Sequence, residues 1–228
     1  DGLHLPPAAQ PSPAGRAPAA ISGKHVITGE SCALGLGDPL FYGNGLGRHL
    51  LKAARMEHGA TVFGYYVEDP ERFGVVEIDK HGKAISIEEK PEHPRSNFAV
   101  TGLYFYDNRV CEFASNVERS ARGEYEITDL NRMYLEEGSL NVVQLGRGYS
   151  WFDTGTMDSL FHAAQLVRVV ERSQNVQIAS LEEIAFLRGW IDRETLRESA
   201  ERYGKSTYGS FLKRVVEGDV YYPEGEYN

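Results

Sequence analysis

Two aspartates in the sequence have the chemistry and the positions to bind a metal ion. Asp38 follows an apolar run at residues 32–37, which predicts a buried strand, and ligands of open α/β sheets gather at the carboxyl ends of strands. Asp153 stands within residues 151–156, between a predicted strand and the start of a predicted helix. Carboxylates suit hard cations, but a turn or helix-capping role explains either aspartate as well. Nothing in their spacing shows that the two acids meet.

A second charged group, at residues 88–91, ends another predicted strand. In one interpretation it is a solvated rim, as most charged strand ends are. In the other, Glu89 accepts hydrogen bonds from sugar hydroxyls, and Lys90 binds a phosphate as a compact cation. Gly74 then marks either a bulge or a close approach of the backbone to a ligand. Trp151 suits the face of a sugar ring, although most such aromatic residues fill a core.

The composition argues against several classes of protein. The 228 residues carry 33 acidic and 24 basic side chains, a formal net charge of −9, which disfavours nonspecific binding to nucleic acid. The two cysteines are too few for a disulfide framework or a thiolate metal site. The sequence shows no membrane-spanning apolar segment and no secretory signal, so we expect a cytoplasmic protein. The motifs of serine hydrolases, dithiol redox proteins and Walker-type NTPases are also missing.

The chain divides by composition into three predicted regions. Residues 1–20 hold five of the ten prolines and predict an extended arm. Residues 21–155 alternate strand-like and helix-like segments, which predicts an α/β body. Residues 156–228 predict a helical C-terminal portion.

Periodicity and capping residues predict the individual elements. We predict strands at residues 32–37, 61–67, 98–106 and 140–145, and a hairpin at 73–79 and 83–88. A helix is predicted at 48–58 with Gly59 as its C-terminal cap, and another at 129–137 with Thr128 as its N-cap. Thr156 is predicted to cap a long helix, and further helices are predicted at 181–189, 193–203 and 208–216.

Read in order, these segments resemble the glucose-1-phosphate thymidylyltransferases, also called dTDP-glucose pyrophosphorylases. The resemblance runs from about residue 8 to about residue 215. The phrases that carry it include Gln10-Pro11-Ser12-Pro13, Leu36-Gly37-Asp38, Asp69-Pro70-Glu71-Arg72-Phe73-Gly74, Ser86-Ile87-Glu88-Glu89-Lys90-Pro91, Glu126-Ile127-Thr128-Asp129-Leu130-Asn131, Trp151-Phe152-Asp153-Thr154-Gly155-Thr156 and Leu181-Glu182-Glu183.

The resemblance implies a Rossmann-like nucleotide-diphospho-sugar transferase fold. The implied reaction joins dTTP and glucose 1-phosphate to give dTDP-glucose and pyrophosphate. The implied catalytic residues are Asp38 and Asp153, which hold Mg²⁺, and Lys90, which meets the sugar phosphate. The implied substrate-binding residues are Gly74, Glu89 and Val100 around the hexose, Gln10 at the thymine edge and Gly15 on the adjoining loop; Trp151 joins them on its residue type alone. Glu182 and Glu183 match a second nucleotide site, where a dTDP-sugar acts as feedback inhibitor, and the implied assembly is a homotetramer.

The chain departs from the family's pattern in its nucleotide half. The sequence lacks the family's glycine-rich Gly-Gly-x-Gly-Thr-Arg-Leu loop and the lysine after it, and Ala14, Arg16, Pro18 and Pro39 replace other residues. We therefore expect an N-terminally truncated member that binds dTTP weakly, because the amides of that loop hold the triphosphate. The alternative is a catalytically inactive paralogue that acts as a regulatory or interaction subunit, or as a sugar-phosphate-binding module.

Overall fold

A mixed β-sheet with flanking helices forms the part of the chain up to Gly155. The computed structural model describes residues 29–222 together with Ala17 and Ile27. The strands of this part are β1 (Cys32–Gly35), β2 (Pro39–Gly43), β3 (Ala60–Tyr66), β4 (Gly74–Ile78), β5 (Ala84–Glu89), β6 (Phe98–Tyr106), β7 (Leu140–Leu145) and β8 (Tyr149–Asp153). The helices are α1 (Leu46–Ala54), α2 (Val110–Ser115) and α3 (Ile127–Glu136), and a 3₁₀ turn spans Pro70–Arg72.

The sheet places its most apolar strands at the centre. Its strand order is β5-β4-β6-β3-β7, β1 also pairs with β6, and β2 and β8 form a separate two-stranded ladder. Of the pairings that the structure describes, β3 with β7 is parallel and the others are antiparallel. The predicted α/β class is confirmed.

The core of this part lies between β3, β6 and helix α3. Val62, Tyr104, Leu130 and Tyr134 pack together there and are almost completely buried. Each large apolar side chain buried in this way contributes roughly 1.5–3 kcal/mol to stability. Ala17, within the predicted arm, joins the same cluster, and its amide donates to the Tyr125 carbonyl at 3.2 Å.

Three local predictions need correction. The strand predicted at residues 32–37 ends at Gly35 and alternates half-buried and exposed residues, because it pairs with β6 alone. Helix α1 ends at Ala54, so Gly59 is not its cap. Gly59 instead enters β3 with φ +98°, where a Cβ atom would lie 2.3 Å from the Ser139 carbonyl oxygen. Helix α3 has Glu126 at its N-cap, and Thr128 lies inside its first turn.

A second, helical unit begins at Thr156. Its helices are α4 (Met157–Gln174), α5 (Leu181–Leu187), α6 (Arg193–Tyr203) and α7 (Thr207–Glu217). Thr156 caps α4 as predicted, since its hydroxyl accepts from the Ser159 amide at 3.2 Å. Helices α6 and α7 share a core of Leu196, Phe211 and Leu212. The limits proposed for the three regions, 1–20, 21–155 and 156–228, stay predictions.

Among the described residues, every helix is too short or too polar to cross a lipid bilayer.

Candidate active site

The pairing of β2 with β8 brings the two aspartates to one end of a ladder. Pro39 lies opposite Asp153 in the register. Asp38, the residue directly before Pro39, therefore lies at the same end of the ladder as Asp153. The Thr154 hydroxyl donates to the Asp38 carbonyl at 2.6 Å and fixes this corner. Asp38 is exposed and Asp153 is half-buried. The structure therefore supplies the proximity that sequence spacing could not show.

Six of the predicted site residues line one cleft. They are Gly74, Glu89, Lys90, Val100, Trp151 and Asp153. Asp38 precedes Pro39, which also lines the cleft. Gln10 and Gly15 lie outside the described residues. The cleft thus brings the Asp153 carboxylate together with Glu89 and Lys90 at the end of β5.

Gly74 and Glu89 face each other across β4 and β5. A Cβ atom on Gly74 would lie 3.1 Å from the Thr128 hydroxyl oxygen and 3.3 Å from Glu89 Oε2. A side chain larger than that of glycine would therefore crowd the Glu89 carboxylate at this position. The Glu89 side chain is only 18% exposed, so it does not belong to a solvated rim.

Lys90 leaves β5 with a backbone that few non-glycine residues adopt. Its φ is +41°, a conformation that costs about 1–2 kcal/mol for an L-residue. The Lys90 amide donates to the Phe73 carbonyl at 2.9 Å, which holds the residue there. The side chain is exposed and makes no ion pair with any described residue. Its ammonium group is free to meet an anion in the cleft.

Trp151 forms a wall of the cleft. Its indole N–H donates to the Thr101 carbonyl at 3.1 Å, and its ring packs against Phe73 and Tyr65 at centroid distances of 5.1 and 5.9 Å. Because the N–H is already bonded, the ring face or edge is what the residue can offer a ligand.

Three polar neighbours of the cleft were missed by the sequence analysis. The Thr128 hydroxyl donates to Glu89 Oε2 at 2.5 Å, and Arg122 lies 3.5 Å from Glu89 Oε1. Arg72 lines the cleft, where its guanidinium donates to Asp69 at 2.6 Å. Thr128 was visible in the sequence but looked like a helix cap, and no local pattern connects Arg122 with Glu89.

The two aspartates suit a divalent cation that is shared with a substrate. No three His, Cys, Asp or Glu side chains of the described residues come together as a complete metal site. Mg²⁺ is commonly bound by one or two carboxylates, with substrate phosphates and water as its other ligands. Asp38 and Asp153 fit that donor set.

Glu182 and Glu183 of α5 are bonded within the helical unit. Glu182 accepts hydrogen bonds from Tyr203 and Tyr208. Burial alone would raise the pKa of Glu182, but these hydroxyls and Arg202 outweigh it and lower the pKa. Glu183 is 8% exposed and accepts from Tyr222 at 2.7 Å. The regulatory role of the two glutamates stays a prediction.

The fold and the cleft agree with what comparison with known proteins finds. Residues 2–169 match the Nucleotidyl transferase family, and the chain belongs to that family of enzymes, whose members generally use a divalent metal. Over 215 residues, 94% of this chain, it is 54% identical to a glucose-1-phosphate thymidylyltransferase of Neisseria meningitidis, of which it spans 75%. A glucose-1-phosphate thymidylyltransferase of Mycobacterium tuberculosis is 48% identical over 95% of this chain and 75% of its own length. The resemblance read from the sequence is confirmed.

Solved structures support the same fold. A protein of Bacillus anthracis, solved as a glucose-1-phosphate thymidylyltransferase in complex with a sucrose, superposes with a TM-score of 0.61 at 38% identity. That match covers 69% of this chain and 63% of the solved one, so this chain spans less than two thirds of it. A UDP-glucose pyrophosphorylase superposes with a TM-score of 0.63 at 22% identity, over 70% of this chain and 64% of its own, and it supports the fold alone.

Proposed function

We propose that this chain is a glucose-1-phosphate thymidylyltransferase, which forms dTDP-glucose and pyrophosphate from dTTP and glucose 1-phosphate. The observation that carries the proposal is the cleft. One concave surface holds Glu89 and Lys90 at the end of β5 and Asp153 at the end of β8. Such a site binds a sugar on one side and phosphate charge on the other.

In the proposed reaction, an oxygen of the sugar phosphate forms a bond to the α-phosphorus of dTTP. The bond from that phosphorus to the pyrophosphate oxygen breaks in line. Glu89 accepts hydroxyl hydrogens of the hexose, with the Gly74 and Val100 backbone around it, and Lys90 faces the sugar phosphate. Mg²⁺ held by Asp38 and Asp153 would neutralise phosphate charge. The protein contributes orientation and charge complementarity.

The direct test measures pyrophosphate release by the purified chain with dTTP, glucose 1-phosphate and Mg²⁺. We expect release from the unaltered chain and its loss in Asp38→Asn. Asp158→Asn is the matched control, because Asp158 is an exposed aspartate in the helical unit whose side chain is 86% accessible. A folded chain that releases no pyrophosphate would contradict the proposal. If that chain still bound glucose 1-phosphate in a calorimeter, the sugar-phosphate-binding module would become the better description.

Self-association belongs to the same proposal, with a second copy of this chain as the partner. In the helical unit, Leu181, Trp190 and Phe161 leave 75%, 64% and 59% of their surface exposed. Apolar surface of this kind favours burial against a partner. Light scattering should give a multiple of the 25.4 kDa chain mass, and a monomer at all concentrations would contradict it. The dTDP-sugar feedback ligand, the thymine contact of Gln10 and Gly15 and the cytoplasmic location stay predictions.

A further inference from the structure

The carboxylate of Glu89 is held by two different donors. Thr128 donates to Oε2 at 2.5 Å, and the guanidinium of Arg122 lies 3.5 Å from Oε1. The two partners differ in burial, since Thr128 is 3% exposed whereas the Arg122 side chain is 43% exposed. Thr128 is therefore the buried partner of the pair.

The place of Thr128 in helix α3 leaves its hydroxyl available for this bond. The N-cap of α3 is Glu126, and no side chain caps the helix there. The Glu124 carbonyl, four residues before Thr128, already accepts from the Ser120 amide at 2.8 Å. A threonine in a helix splits between two χ1 rotamers, and in the one that Thr128 adopts its hydroxyl points toward β5 and donates to Glu89.

Thr128 also lies beside Gly74, another residue of the cleft that is predicted to lie near the hexose. A Cβ atom on Gly74 would lie 3.1 Å from the Thr128 hydroxyl oxygen, so the hydroxyl lies directly beneath the Gly74 backbone. The hydroxyl therefore lies near Gly74 of β4 while it is hydrogen-bonded to Glu89 of β5.

We propose that Thr128 is a positioning residue, whose hydroxyl fixes the Glu89 carboxylate so that its remaining lone pairs face the cleft and accept hydroxyls of a hexose 1-phosphate. This inference rests on the proposed function. An ionised carboxylate has about four acceptor positions, and Thr128 occupies one of them on Oε2. Without that bond, the broad terminal torsion of glutamate lets the carboxylate turn outward toward Arg122.

The test compares Thr128→Val, which keeps the branched shape and removes the donor, with Thr128→Ser, which keeps the donor. Calorimetry on the full chain measures the Kd for glucose 1-phosphate. We expect Val to raise the Kd about tenfold, which is the effect of losing one hydrogen bond to a charged group. We expect Ser, which keeps the donor, to restore most of the affinity.

Several results would overturn the inference. One is Val binding glucose 1-phosphate as tightly as the unaltered chain does. Another is Ser binding as weakly as Val, which would indicate that packing alone matters. If Val does not fold, Thr128→Ala replaces it, and Glu89→Gln in each background then shows whether the two losses are coupled. Coupled losses support the inference and additive losses contradict it. If the folded, unaltered chain binds no glucose 1-phosphate, the proposed function itself fails. If the unaltered chain binds it and Val binds it equally well, only the role of Thr128 fails.

Discussion

Two carboxylates, Asp107 directly after strand β6 and Glu89 at the end of β5, have very different surroundings. Beyond Tyr106, Asp107 is completely buried and accepts hydrogen bonds from the Gly59 amide at 2.7 Å, the Tyr134 hydroxyl at 3.0 Å and the Arg109 side chain at 2.7 and 3.0 Å. Near Val100, Glu89 has Thr128 and Arg122 as partners and opens into the cleft. The hydrogen bonds of Asp107 are used within the fold, which makes it a structural carboxylate. Glu89 keeps unoccupied acceptor positions, with which it can bind a ligand.

The electrostatics of Asp107 follow from its partners. Burial alone would raise its pKa, but the Arg109 guanidinium, the Gly59 amide and the Tyr134 hydroxyl outweigh it, so the pKa lies below the ordinary value of 3.8. The same bonds, together with Glu137, raise the pKa of Arg109. Both groups stay ionised across the physiological range, as a structural ion pair should.

The largest expected effect is on catalysis, in Asp153→Asn. Removing one charge from the proposed metal-binding pair should lower pyrophosphate release at least about 1,000-fold, a loss of several kcal/mol of transition-state stabilisation. Because Asp153 is only half-buried, the free energy of unfolding should change by less than about 0.5 kcal/mol. Parallel assays of activity and urea unfolding check this, with Asp158→Asn as control. A large loss of stability with activity retained would place Asp153 with Asp107 as a structural acid.

The reverse result is expected for Asp107→Asn. The Asn amide would turn N–H groups toward the donors of Gly59 and Arg109, so we expect stability to fall by about 3 kcal/mol. Asp129→Asn is the control, because Asp129 pairs with Arg132 near the surface and such a pair is worth at most about 1 kcal/mol. Urea unfolding measures both, and equal losses would mean that burial adds nothing to the Asp107 pair.

The same variant has a predicted pH signature. A carboxyl with a depressed folded pKa contributes stability above its unfolded pKa and loses it as pH falls through the folded value. The unaltered chain should therefore lose stability below about pH 4, and Asp107→Asn should lose less over that interval. An identical acid slope in both proteins would contradict the depressed pKa.

The sequence predicted the strands of the main sheet better than it predicted the site. The bounds of β6 and β7 agree with the predicted 98–106 and 140–145. Strand β6 lies inside the sheet and is a nearly continuous apolar or β-branched run, whereas β7, at the end of the strand order, has β-branched Val142 and Val143 at its centre. Strand β2 was missed, since Pro39–Gly43 has neither a long apolar run nor strict alternation. Its pairing with β8, which brings the aspartates together, is a long-range contact that no local pattern records.

Thr128 shows a second limit of sequence reasoning. A threonine just before an amphipathic helix is a sound prediction for an N-cap, but the helix begins at Ile127, one residue earlier than Thr128. That small shift moves the hydroxyl from the helix end to Glu89. The helix start and its N-cap thus lie two residues before the predicted ones. Helix boundaries are uncertain by one or two residues, so a role that depends on such a shift becomes visible only in the structure.

A smaller effect is expected for Gly74→Ala. The new Cβ atom would press on the Thr128 hydroxyl at 3.1 Å and on Glu89 Oε2 at 3.3 Å. We expect roughly tenfold weaker binding of glucose 1-phosphate, within the 1–3 kcal/mol that one added carbon costs in a packed site. Gly146→Ala is the control, because its Cβ would meet nothing within 4 Å. Unchanged calorimetric affinity in Gly74→Ala would mean that Thr128 and Glu89 can move enough to make room for the added Cβ atom.

Glu183 lies between the two extremes and gives the smallest expected effect. It is 8% exposed, and among the described residues only Tyr222 donates to it. Burial outweighs that bond and raises its pKa above the ordinary value of 4.5. A raised folded pKa favours the folded state below the unfolded value, and that contribution is lost as pH rises through the folded one.

Glu183→Gln should therefore stabilise the helical unit at pH 7 by on the order of 1 kcal/mol, and it should have little effect near pH 4. Trp151→Phe leaves Trp190 as the sole tryptophan, so its fluorescence during urea unfolding reports the helical unit, with and without the Gln substitution. Equal stabilisation at both pH values would show that the gain comes from packing and not from charge. Destabilisation at pH 7 would mean that the hydrogen bond from Tyr222 to the ionised Glu183 contributes more than burial of the charge costs.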